Sequence, residues 1–243
     1  MPPVQSSISR DQQPEASWEA LTLAKRGLRL AIVEEDYRLA ATLRDRVGDL
    51  TGALPPRKRL LASMLDNLQQ PEVEVQAGAL RVIGELADCD ALPQLSLHLA
   101  TPQLQSAVEA AMWRIFMHSD NLRVQMLMRE ACTMLNRPGD WDDAVKMFTA
   151  VVEEEPSFAE GYNKRATVLF LLQRYRESIQ DCKLVLDLNP YHFAAASGMG
   201  MCYSRLGDYE SAIQAFERAL AIHPGMTELR QTCEQLRTMR GEE

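Results

Sequence analysis

Outside a polar start, apolar residues recur along this chain at spacings of three and four. Tyr37, Ala40, Ala41, Leu43 and Val47 form one such stripe, and Leu60, Leu61, Met64, Leu65 and Leu68 another. Val75, Ala79, Leu80, Ile83 and Leu86 repeat the pattern, as do Met226, Leu229, Cys233 and Leu236 near the end. Apolar residues at this period mark helices with one buried face, whereas half-buried strands would alternate. The pattern therefore predicts an all-α fold. Ser17 and Asp36 are placed to cap two helices of a hairpin over residues 17–52, behind a Pro/Gln/Ser-rich tail at 1–16. Gly52 reads as a helix stop and Pro55-Pro56 as a linker, with helices following over 55–118.

The second half is periodic on a longer scale. Pro156, Pro190 and Pro224 stand 34 residues apart. Before them run Gly139-Asp140-Trp141 with Ala144 and Phe148, Gln173-Arg174-Tyr175 with Ser178 and Cys182, and Gly207-Asp208-Tyr209 with Ala212 and Phe216. Gly139 and Gly207 suit tight turns with positive φ, and Asp140 and Asp208 suit helix N-caps. Small residues (Cys132, Ala166 and Gly200; Ala144, Ser178 and Ala212) allow close helix packing, Phe148 and Phe216 fill the space between units, and each proline ends a helix. In phase, these features resemble the tetratricopeptide repeat over 122–224. That resemblance implies three helix pairs and a capping helix at 225–240 that covers the last apolar edge.

Two further resemblances lie upstream. Residues 31–47, with the turn Glu35-Asp36-Tyr37 and the run Leu43-Arg44-Asp45-Arg46, resemble the UVR motif, a helical hairpin that contacts other proteins. Residues 71–86 resemble a HEAT-like repeat, with a looser echo at 101–116. Together they suggest an α-solenoid of repeat helix pairs, preceded by HEAT-like helices and an N-terminal hairpin.

Composition narrows the function. The net charge of −8 argues against general nucleic-acid affinity, and the one basic cluster, Arg57-Lys58-Arg59, reads as a solvated helix start. No apolar run reaches the roughly 20 residues that span a bilayer. Five scattered cysteines without a Cys-x-x-Cys pair indicate reduced thiols, with Cys132 and Cys182 as core residues. His98, His118, His192 and His223 lack ligand spacing, and His192 and His223 read as polar surface residues at repeat junctions. The acids Glu153, Glu154 and Glu155 read as a solvated face, and Gly198 and Gly200 as helix-packing positions. No catalytic, cofactor or metal site is expected.

The repeat resemblance implies a groove lined by first helices. Its residues would be Met126, Arg129, Thr133 and Asn136, then Glu160, Asn163, Thr167 and Phe170, then Ala194, Ser197, Met201 and Ser204. Asn136 and Asn163 could bond a peptide backbone, and Phe170 and Met201 offer apolar contact. A known subclass grips a chaperone's terminal carboxylate with lysine, asparagine and arginine. Here Thr133, Lys164, Ala194 and Gly198 depart from that set, and only Arg129 conforms. The expectation is a non-catalytic adaptor or assembly factor, with one partner protein in the groove and a second on the hairpin at Glu35, Asp36, Tyr37, Arg44 and Asp45. A co-chaperone-like factor and a DNA-repair accessory are the alternatives. The combination of hairpin and repeats resembles chloroplast proteins and implies the stroma.

Overall fold

The structure, a computed structural model, describes residues 13–240. The expected tail therefore lies largely outside the described residues. The described residues form thirteen α-helices and no strand. They divide into two compact units, one up to Gln69 and one from Gln70.

The first unit holds α1 (Gln13–Val33), α2 (Tyr37–Ala53) and α3 (Pro56–Asn67). α1 begins four residues before Ser17, so Ser17 lies inside the helix and not at its start. The turn at 34–36 is closed by Glu35, which takes φ 58°, and by Asp36, whose carboxylate accepts from the Leu39 amide at 3.0 Å. Gly52 does not stop α2; the helix continues to Ala53 and yields to extended Leu54 before Pro55. Leu21, Leu54 and Ala62 are buried together, with Trp18, Val47 and Leu50 packed against them. An ion pair from Lys25 to Asp66, at 2.6 Å, ties α1 to α3.

The second unit begins with α4 (Val73–Leu86), the short α5 (Leu92–His98) and α6 (Gln105–Phe116). α6 comes close to α4 because Gly84 has no side chain; a Cβ there would lie 3.2 Å from the Ala111 Cα. Seven helices follow: α7 (Leu122–Met134), α8 (Trp141–Glu154), α9 (Ala159–Leu171), α10 (Tyr175–Leu188), α11 (Phe193–Arg205), α12 (Tyr209–Ile222) and α13 (Thr227–Arg240). α8, α10 and α12 begin 34 residues apart, and so do α9, α11 and α13. Cys233 and Leu236 of α13 are buried against Ala212, Ile213 and Phe216, so this helix does cover the last apolar edge.

The helix-turn positions do not all behave as the sequence suggests. Gly207 has φ +77° and Asp208 caps α12 through the Ser211 amide at 3.1 Å, as expected. Gly139 is absent from the positive-φ residues and sits in a 3-10 turn, Pro138–Asp140, and Asp140 makes no capping bond. In the middle repeat Gln173 itself adopts φ 61°, so the left-handed turn survives without glycine. Glu154 and Glu155 are not simply solvated: Arg123 pairs with Glu154 at 3.2 Å, and Ser119 donates to Glu155. Cys132 is only half-buried, because it borders an open cleft shared with residues of α4 and α6.

Close approach separates the two glycines of α11. A Cβ on Gly200 would fall 2.5 Å from the Phe216 ring, whereas one on Gly198 would meet only the Cys182 Sγ, at 3.9 Å. Gly200→Ala should therefore cost about 1–3 kcal/mol through overpacking. Gly198→Ala should gain up to about 1 kcal/mol from helix propensity. Urea denaturation of both variants checks the contrast.

Candidate functional site

The chemistry of the second unit gathers where α6 meets the starts of α9 and α11. Glu160, in the first turn of α9, has a fully buried side chain. A buried carboxylate keeps its charge only if partners replace the lost water. One oxygen accepts from Nε2 of His192 at 2.8 Å and from the Asn163 amide at 3.1 Å. The ammonium of Lys164 stands 3.1 Å from the other oxygen, an ion pair without a hydrogen bond. Burial pushes the carboxyl of Glu160 up, but His192 and Lys164 together outweigh it and leave it below the ordinary value.

His192 precedes α11 and caps it, its Nδ1 accepting from the Ala195 amide at 3.2 Å. That bond requires a lone pair on Nδ1, which assigns the ring proton to Nε2 and makes Nε2 the donor to Glu160. The expected exposure of His192 and His223 at repeat junctions is thus reversed: both are buried. α6 is responsible. Phe116 stacks on the His192 ring at 4.4 Å, and Trp113 meets His192 and Phe193 edge-on at 6.0 and 5.9 Å. His223 lies 4.9 Å from the Phe193 ring and 3.5 Å from Glu109 of α6. A second buried pair, Arg165 to Asp181 with contacts of 2.7 and 2.8 Å, staples α9 to α10 and reaches Thr149 on α8.

Beside this cluster opens a cleft of about 350 Å³ between α9 and α11. Trp113 of α6 forms one wall, and Ser178 and Cys182 of α10 also line it. Burial pushes the Cys182 thiol up to about 12, so it stays neutral.

The groove residues expected from sequence divide among several places. Thr167, Phe170, Ser197 and Met201 surround the cleft, together with Ala194 and the buried Asn163. The exposure expected of Glu160 and Asn163 is wrong, because α6 and His192 cover them. Arg129 lines a separate cleft of about 560 Å³ with residues of α4 and α6. Met126, Thr133 and Asn136 lie on or just after α7 with exposed side chains, lining neither cleft. Ser204 lies further along α11, outside both clefts. The sequence reading missed Trp113, Cys182 and Met226 as lining residues. A lone tryptophan in an Ala-rich amphipathic helix was the one signal available. Among the described residues, no cluster of metal-ligating side chains occurs and no helix is long and apolar enough to cross a membrane. On the hairpin, Tyr37 is exposed and Arg44 pairs with Asp45 at 3.1 Å.

Comparison with known proteins agrees with the periodicity. Residues 157–224 match one tetratricopeptide repeat family model, and residues 37–125 match a second. The chain carries tetratricopeptide repeats, and the second match overlies the stretch that resembles HEAT-like helices. A TPR repeat-containing protein of Rhizobium etli is 37% identical over 33% of this chain and 40% of its own length. The Hsp70-Hsp90 organizing protein of Triticum aestivum is 28% identical over 35% of this chain and 15% of its own. The chain thus spans less than half the length of these curated relatives. Among solved structures, the first TPR domain of Spaghetti bound to an HSP90 peptide aligns with TM-score 0.48 and 22% identity, over 51% of this chain and 98% of that one. The Sgt2 TPR domain of Aspergillus fumigatus aligns at 0.47 with 16% identity, over 50% and 81%.

The Glu160 pair sets a pH dependence. A carboxyl held below its ordinary value contributes stability above its unfolded value, and that stability is lost as pH falls through the folded one. Glu160→Gln should cost about 3 kcal/mol at neutral pH by stranding Lys164 and His192. It should also flatten the decline of stability in acid. Urea melts of both proteins across the acid range test both parts.

Proposed function

We propose that this chain is a non-catalytic protein-interaction adaptor, with a partner segment bound in the cleft between α9 and α11. The observation that carries this reading is the cleft itself. Phe170, Met201 and Met226 present apolar surface there, and the buried Glu160–His192 pair joins the starts of α9 and α11 beside it. Met201 is 45% exposed, a large side chain that folding alone leaves unburied. Apolar, concave surfaces of this size are the usual seats of ligands.

The hairpin would engage a second protein. Around its turn Leu30, Ile32, Val33, Tyr37 and Leu39 are all exposed, Val33 at 80%. Several exposed apolar side chains near the tip of a hairpin suit a contact surface. The resemblance of residues 31–47 to the UVR motif supports the same role, and the chloroplast assignment rests on the resemblance of this hairpin joined to repeats.

A co-chaperone-like factor is the second reading, favoured by the similarity to the wheat Hsp70-Hsp90 organizing protein. Against it stand Ala194 and Gly198, which bring no cation to the cleft.

Pull-downs from extract of the source organism, read by mass spectrometry, test the two-handed adaptor. Met201→Asp should reduce capture of one set of proteins about tenfold, and Val33→Asp should lose a different set, with both melting like wild type. Recovery of the wild-type set by both variants would count against the bridging role.

A further inference from the structure

The cleft beside Trp113 does not end at α11. It runs into a second hollow of about 490 Å³ at the start of α13, and the two share Ser197, Met201 and Met226. Two apolar seats therefore lie side by side, separated by methionines, whose flexible thioethers adapt to the shape of what they touch.

The electrostatics of the lining are restrictive. Lys164 is the one charged residue in the first hollow, and its ammonium is compensated by buried Glu160 and lies 5.6 Å over the Trp113 ring. In the second hollow the one charged lining residue is Glu228, an acid. A carboxylate entering this site would shed its water and find no uncommitted cation among the lining residues; Arg205 stands outside them, over the Phe170 ring at 6.0 Å.

Several of the hydrogen-bonding groups are committed as well. The Asn163 side-chain nitrogen donates to Glu160, and the Thr167 hydroxyl donates to the backbone carbonyl of Asn163 at 2.9 Å. An extended peptide needs partners for its backbone N–H and C=O groups, and this lining offers few. A helix satisfies those groups internally. Its side chains one turn apart sit about 5–6 Å from each other, suited to two seats that share a wall.

We propose that the double cleft binds one face of an amphipathic helix of a partner protein, two large apolar side chains a turn apart filling the two hollows, and that it does not read a terminal carboxylate. This rests on the cleft being the binding site, and narrows what it binds.

Gly198→Leu supplies a blocking variant. A Cβ at that position meets only the Cys182 Sγ at 3.9 Å, so the side chain enters the first hollow without moving the backbone. Loss of a mid-helix glycine also favours folding. The full chain would be used to select from displayed libraries of randomised helical segments, held internally or with free C-termini. Winners should carry Leu, Ile, Met or Phe in pairs three or four residues apart. The best of them, as an amidated synthetic peptide, should bind Gly198→Leu at least about tenfold more weakly, at an unchanged or raised Tm. Winners with acidic C-termini, whose binding is abolished by amidation and by Gly198→Leu, would overturn the helix proposal and leave the cleft as the binding site. Winners indifferent to Gly198→Leu, or no enrichment over uncoated matrix, would overturn both.

Discussion

A carboxylate taken wholly out of water dictates what surrounds it, and Glu160 is such a group. Its retention of charge demands a donor on one oxygen, a cation near the other and a lid that excludes solvent. The protein supplies His192 and Asn163 as donors, Lys164 as the cation, and α6 as the lid, with Phe116 stacked on the imidazole. The suppliers come from three parts of the chain: Asn163 and Lys164 from α9 itself, His192 from the start of α11, and the lid from α6. The pair consequently fixes where α6, α9 and the start of α11 lie relative to one another. Replacement of such a pair by apolar residues is often neutral in stability, so its value lies in specifying one arrangement.

That arrangement shapes the cleft. Because Lys164 is turned to Glu160 and Trp113, it does not face the cleft as a free cation. Because α6 occupies one side of the α9 and α11 ends, the space between the helices is a walled hollow with Trp113 as its end. Cys182 adds a neutral thiol to the lining, and Ala194 and Gly198 add almost nothing. An apolar, uncharged seat is thus a by-product of satisfying one buried charge nearby.

The repeats tolerate departures from their own pattern where backbone geometry, not side-chain identity, carries the load. Gln173 holds the left-handed turn that Gly207 holds one repeat later, at a cost of about 1 kcal/mol or somewhat more. Gly139 looks like the glycine of such a turn, yet Pro138 before it directs the backbone into a 3-10 turn. Where a helix backbone lies directly on a packed side chain, there is no such freedom: Gly200 lies against the Phe216 ring, and Gly161 against the Val151 side chain, with no room for a methyl group.

The local features were legible in the sequence because they depend on near neighbours. Apolar period, prolines at intervals of 34, and caps such as Asp36 and Asp208 gave the helices, the repeats and the covering helix α13. Thr167, Phe170, Ser197 and Met201 line one cleft, since repeat phase alone brings them to one side. What no periodicity could reveal was the path of α6. Its contacts with His192 and His223 join residues some eighty to more than a hundred positions apart in sequence. Those contacts buried Glu160, Asn163 and both histidines, and left Arg129 in another cleft. Spacing within a repeat determines which residues share a face; only packing between distant segments decides whether that face meets water, and therefore which charges remain free to act.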